Sequence, residues 1–161
     1  MLKSLSIMAT IAVLAQLPTP AFAGATVNVK LWDNGETMDL SKNMGMAPGS
    51  AVDMAKAPMG IKIQPTVVPQ GKVVFKVTNT SKAVIHEMLL APISGPNAAL
   101  PYIDKENRAD ETKTHDLGEV SELDPGKTGE LTVDMKPGTY MLFCNVPGHL
   151  GAGMWTTITV K

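Results

Sequence analysis

"TGELTVDMKPGTYMLFCNVPGHLGAGMWTTITV" (residues 128–160) holds three strand-like runs and one loop that cannot be a strand. "TGELTVDM" alternates, with Leu131, Val133 and Met135 on one face, the period of a half-buried strand. Lys136-Pro137-Gly138 turns the chain, because proline presets φ and glycine accepts conformations that other residues avoid. "TYMLFC" and "MWTTITV" are rich in the aromatic and β-branched residues that favour strands. Between them, "CNVPGHLGAGM" is broken by one proline and three glycines, so it reads as the loop joining the last two strands. That loop carries the only cysteine of the chain, Cys144, with His149 and Met154. A loop at one pole of a sheet can aim all three side chains at one point.

The same pattern extends upstream. "ATVNVKL", "GIKIQP", "KVVFKVTN" and "AVIHEMLLA" are short apolar or alternating runs closed by polar or proline stops, and Asp124-Pro125-Gly126-Lys127 is a further strong turn. About seven short strands, with no long helical period and no βαβ alternation, predict an all-β fold: an antiparallel β-sandwich with Greek-key connections. Two segments fall outside the pattern. Residues 33–60 read as a Gly/Ala/Met/Pro-containing insertion, and residues 95–122 as a solvated flap with a short helix around "DKENRADE".

The N-terminus sets the compartment. "MLKSLSIMATIAVLAQLPTPAFA" has a basic start at Lys3, a short apolar core and a small-x-small ending, the pattern of a cleaved secretory signal over residues 1–23. Its apolar run is shorter than the ~20 residues that span a bilayer, and no later segment is apolar enough to do so. The expectation is one exported, periplasmic domain over residues 24–161. The formal charge of −1 becomes −2 once Lys3 leaves, which points to neither nucleic acid nor an anionic membrane as partner. In an oxidising compartment a lone cysteine cannot form an internal disulfide, and a bound metal would protect it.

Three donors leave a metal site incomplete. Of the remaining histidines, His86 lies in a strand-like run that can present it at the same pole, whereas His115 lies in a polar stretch and reads as a solvated loop residue. Two imidazoles, one thiolate and a weak thioether form the ligand set of a type 1 copper site, trigonal His2Cys with axial Met. Thiolate and thioether suit Cu(I), and imidazole suits both oxidation states. Zinc more often takes further cysteines, or histidines with carboxylates and an open position. A catalytic Cys-His pair is the competing reading; it needs an orienting partner and leaves Met154 without a role.

The stretch "LDPGKTGELTVDMKPGTYMLFCNVPGHLGAGMWTTITV" resembles the cupredoxin family in its Pro-Gly turn, aromatic strand, Cys, Pro-Gly-His, Met and final strand. The resemblance spans most of residues 61–161. Four residues separate His149 from Cys144 and four from Met154, as in azurin-, auracyanin- and rusticyanin-type loops rather than the shorter plastocyanin one. It implies His86, Cys144, His149 and Met154 as ligands of one copper. Two positions depart from the family pattern: Glu87 stands where asparagine usually follows the first histidine, and Asn145 where serine or threonine usually follows the cysteine. Both neighbour ligands, so they bear on whether the centre is blue or green.

Residues 33–60 hold Met38, Met44, Met46, Met54 and Met59. Two readings stand. One is a short amphipathic helix, capped near Ser50 and Asp53 and ended by Pro58, whose methionines pack on the sandwich. The other is a soft Cu(I)-binding tract, a feature that exported copper-tolerance cupredoxins also show. Two functions follow. The first is a soluble electron carrier, with Pro147, Leu150, Gly151 and Ala152 as a docking patch beside His149. The second is a copper-sequestering or copper-delivery protein that uses the tract. The expected partner is a redox or copper-handling protein met transiently by a monomer. A single four-ligand set with no open position argues against an enzyme.

Overall fold

The computed structural model describes residues 24–35, 39–41, 43–50 and 53–161. Residues 1–23, read above as a signal sequence, and Met38 lie outside the described residues. In chain order the strands are β1 (Ala25–Asp33), β2 (Met59–Gln64), β3 (Val67–Val68), β4 (Gly71–Asn79), β5 (His86–Ile93), β6 (Tyr102–Ile103), β7 (Arg108–Ala109), β8 (Glu119–Leu123), β9 (Thr128–Met135), β10 (Gly138–Phe143) and β11 (Trp155–Val160). Their order is β2-β1-β4-β9 in one sheet and β3-β11-β10-β5-β8 in the other, with β6 and β7 as a separate ribbon.

The all-β sandwich is as expected, and all seven strand-like runs are strands. Two pairings are parallel rather than antiparallel: β1 with β4, and β11 with β3. The antiparallel expectation assumes that consecutive strands pair. Here β3 leaves the first sheet to edge the second, and the chain returns on the far side of β1, running in the same direction.

Alternation places the core. Val27, Val29 and Leu31 of β1 and Val73, Phe75 and Val77 of β4 are buried and meet Met88, Leu90, Leu142 and Ile158 from the second sheet. Each such side chain, fully buried, contributes about 1.5–3 kcal/mol of hydrophobic stabilisation.

The second sheet is apolar on its other face too, where Leu89, Ala91, Met141, Phe143 and Leu150 form a separate cluster with Leu100, Tyr102 and Trp155. This corrects the solvated-flap expectation for residues 95–122. An apolar outer face has to be covered, and the segment covers it with Leu100, Tyr102 of β6 and Ala109 of β7, while β8 joins the edge of the sheet beside β5. "DKENRADE" (residues 104–111) forms the turn after β6, strand β7 and the start of α1 (Glu111–Thr114), a single turn capped by Asp110 and the only helix of the segment. No helix among the described residues is long and apolar enough to cross a membrane.

Candidate metal centre

Antiparallel register brings the donors to one pole. β5 starts at His86 and pairs with β10, which ends one residue before Cys144; Phe143 in turn faces Trp155, the residue after Met154. The Cys144 amide donates to the Met154 carbonyl at 3.0 Å, and the Met154 amide donates to the His149 carbonyl at 3.0 Å. All four residues are buried.

The side chains converge. The Nδ1 atoms of His86 and His149 lie 3.2 Å apart, and Cys144 Sγ lies 3.3 Å from His149 Nδ1. The donor atoms of His86, Cys144 and His149 all fall within 4.8 Å of one another. Donors about 2 Å from one ion, at near-trigonal angles, sit a little over 3 Å apart. A proton shared between two imidazoles would explain one of these distances, and a cation accounts for all three donors. With Met154 completing the set, this is the donor chemistry of type 1 copper.

Burial shapes the ionisation of these groups. It pushes the Cys144 thiol up to about 12, against the pull of the Glu87 and Val146 amides, which donate to the sulfur. It brings His149 down to about 4, with His86 beside it adding to the effect. His86 is also lowered by burial, while Asp33 opposes the shift. The metal-free site at neutral pH is therefore a thiol with two neutral imidazoles.

Neighbouring residues hold the donors in place. Buried Asn79 donates to the carbonyls of Val84 (2.9 Å) and Leu123 (2.8 Å), and Ser81 Oγ accepts from the Val84 amide at 2.8 Å. Together they fix the turn that delivers His86. Asp33, at the end of β1, meets His86 Nε2 at 3.2 Å. Burial alone would raise its carboxyl, but hydrogen bonds from Ser81, His86 and the Gly35 amide bring it below the usual value.

The two departures from the family pattern, Glu87 and Asn145, are partners. Glu87 sits at an irregularity in the β5–β8 pairing; its amide reaches Cys144 Sγ at 3.5 Å, and its Oε1 accepts from the Asn145 amide at 3.0 Å. The Asn145 side chain bonds both backbone groups of Ala109 and Glu111 Oε1. One bridge thus ties both ligand strands to β7 and the start of α1. Glu87 itself is raised to about 7, mainly by burial and further by Glu119, Glu111 and Glu122, against the Asn145 amide.

The expected docking patch is covered. Leu150, Gly151 and Ala152 are buried, and of the four patch residues only Pro147 is exposed. The described residues between 39 and 57 lie across this loop. The Met46 amide donates to the Gly151 carbonyl (2.9 Å), Trp155 Nε1 to the Met46 carbonyl (2.7 Å), and Asn107 Nδ2 to the Leu40 carbonyl (2.8 Å). The small residues of the loop therefore answer to an intramolecular neighbour. A Cβ on Gly148 would stand 2.5 Å from the Leu40 oxygen, and one on Gly153 would stand 2.7 Å from Ala57 Cβ.

Nor is the amphipathic helix present among the described residues of this segment. It is reduced to one 3-10 turn, Met54–Lys56, capped by Asp53 rather than Ser50. Chain pinned by hydrogen bonds to the ligand loop is held away from helical geometry. Met59 is fully buried in β2, and Met46 is buried against Gly153; Met44 and Met54 are exposed. His115 is exposed as the C-cap of α1 and is not grouped with the donors His86, Cys144 and His149.

Sequence reasoning found the four donors and missed Asp33, Asn79 and Ser81. Each is a common polar residue at a strand end or turn, and only the pairing of β1 with β4 brings Asp33 near His86.

Known proteins resemble this chain in sequence and in fold. The copper-resistant cuproprotein CopI of Vibrio cholerae serotype O1 is 31% identical over 159 residues, covering 87% of this chain and 90% of that protein. Rusticyanin from Thiobacillus ferrooxidans is similar in fold, with a TM-score of 0.52 and 21% identity over 86% of this chain and 77% of that one. Auracyanin B gives a TM-score of 0.51 and 23% identity over 91% and 93%. Residues 48–161 match the family described as copper binding proteins, plastocyanin/azurin family. The chain is a cupredoxin with a type 1 copper site and belongs to the plastocyanin/azurin family of copper-binding proteins.

Proposed function

We propose that this protein is an exported, periplasmic copper protein that cycles between Cu(II) and Cu(I) and serves copper homeostasis or tolerance. The observation that carries this reading is the closed donor set: two Nδ1 atoms and a thiol within 4.8 Å, all buried. Copper held there supplies one-electron redox chemistry. The chain fixes three donors on strand ends and in a braced loop, so the site changes charge with little rearrangement, and it leaves no open position for a substrate. The signal-like N-terminus and the similarity to CopI support export and copper resistance.

Absorption spectroscopy and potentiometry of the copper-loaded protein test the reading. Intense thiolate-to-copper absorption in the visible is expected, with reversible one-electron reduction. Cys144→Ser should abolish the band, because a hydroxyl cannot replace the thiolate. Full zinc occupancy with no coloured copper form would defeat the assignment.

A second reading rests on Met44 and Met54, whose exposure leaves two thioethers open to Cu(I) on the segment covering the site. On that reading the segment receives Cu(I) for sequestration or delivery.

A further inference from the structure

His86 shows the feature that the function above leaves unexplained. Its Nδ1 faces the other donors, while its Nε2 faces a carboxylate that has almost no contact with solvent: the Asp33 side chain is 2% exposed. Asp33 is also held from two other directions, by the Gly35 amide at 2.8 Å and by Ser81. A buried carboxylate with three hydrogen-bonding partners is a built feature, since burying one without partners costs several kcal/mol.

We propose that Asp33 is a positioning residue that sets the tautomer of His86 and biases the copper site toward Cu(II). An ionised carboxylate only accepts hydrogen bonds, so Nε2 must carry the proton and Nδ1 is left with its lone pair directed at the metal position. A backbone carbonyl would select the same tautomer. The carboxylate adds a full negative charge, which increases electron donation from the imidazole. Charge balance sharpens the point. The Cys144 thiolate and Asp33 together neutralise Cu(II), whereas with Cu(I) they leave one uncompensated negative charge in a buried site. Asp33 therefore stabilises the oxidised form more than the reduced form and lowers the reduction potential.

The proposal rests on the copper reading for its redox half and stands independently for the tautomer. Two measurements separate these parts. Nitrogen-15 NMR of the imidazoles in metal-free and Cu(I)-loaded protein should show His86 protonated at Nε2; protonation at Nδ1 in the metal-free protein would overturn the proposal whatever copper does. Asp33→Asn keeps the shape and an acceptor oxygen but removes the charge. Its copper form should keep the visible band, while Cu(II) affinity falls by about 10–100-fold, the usual effect of losing such a partner. Cu(I) affinity should fall by less, and each tenfold change in the ratio of the two raises the potential by about 59 mV. Equal losses in both oxidation states, with the potential unchanged, would mean that Asp33 only supports the loop. If Asp33→Asn does not fold, Asp33→Ser, which also removes the charge, should raise the potential in the same direction; no rise would count against the proposal. Failure of the wild-type protein to bind copper would overturn the functional reading and leave the tautomer measurement standing.

Discussion

His86, Cys144 and Met154 sit at the ends of strands with ladder partners, and the loop carrying His149 is closed by its own backbone hydrogen bonds. Residues 39–57, which lie over them, contain among the described residues one turn of 3-10 helix and are pinned by a handful of hydrogen bonds to the loop beneath. The two regions divide the work. Donor spacing is set by the sheet and needs nothing from the cover. The cover meets the glycines around His149: Gly148 lies against Leu40, Gly151 against Asn43 and Gly153 against Ala57. Under the redox function proposed above, a partner that docks at this loop meets the covering segment, unlike in a carrier whose ligand loop forms the docking surface itself.

The sharpest way to break this division is Gly148→Ala. Gly148 has φ of +87°, where an L side chain is strained, and its added Cβ would meet the Leu40 carbonyl at 2.5 Å. Strain of about 1–3 kcal/mol corresponds to a fall in melting temperature of roughly 4–12 °C, at about 4 °C per kcal/mol for a domain this size. Calorimetry of the copper-free protein measures it. Limited proteolysis should show cleavage within residues 39–57 before the sandwich is cut. If the variant melts like the wild type, Leu40 does not pack as described, and the cover is looser than its hydrogen bonds imply.

A smaller effect sharpens the comparison within the methionines. Met59→Leu changes a buried core residue at nearly constant volume and should cost less than about 1.5 kcal/mol, with Cu(I) binding unchanged. Met44→Leu with Met54→Leu changes two exposed residues and should leave stability within about 0.5 kcal/mol, while reducing the Cu(I) bound beyond the first equivalent. Titration against a competing chelator reads the stoichiometry. Equal stoichiometry in the double variant and the wild type would make the segment a cover alone.

How far the sequence revealed this molecule follows from what each feature depends on. Strands with period-2 patterns, such as "TGELTVDM", are local, and their boundaries were readable to within a few residues. The donors were readable because Cys, His and Met are chemically distinctive and three of them share one loop. Glycines and alanines at 148–153 are not distinctive: their smallness suited an exposed patch as well as a buried one, and only the position of Leu40, Asn43 and Ala57 decides between them. The same holds for Asp33, which acts on His86 across 53 residues of chain. The outer apolar cluster was in principle readable, since "MLLA" and "YMLFC" are continuous rather than alternating runs, the pattern of strands buried on both faces.

The smallest effect tests the pole by itself, through protons. In the metal-free protein Cys144 is a thiol, pushed up to about 12, while His149 is brought down to about 4 and His86 lies below its usual value. Copper binds the thiolate and the neutral imidazoles. Between pH 7 and 9, loading should then release about one proton per copper, all of it from Cys144, and the affinity should fall tenfold for each pH unit of acidification. Below the ordinary histidine range the sign stays the same and the slope steepens, because first one imidazole and then the other holds a proton that the metal must displace. Calorimetric titration with Cu(I) in two buffers of different ionisation enthalpy counts the protons directly. A count near zero at pH 7 would mean that the thiol is already ionised, so that the Glu87 and Val146 amides outweigh burial. Release of two would mean that an imidazole is charged, so that the cover over His149 admits water. The count therefore reports on both regions: the sulfur reads the frame, and the imidazole reads the seal.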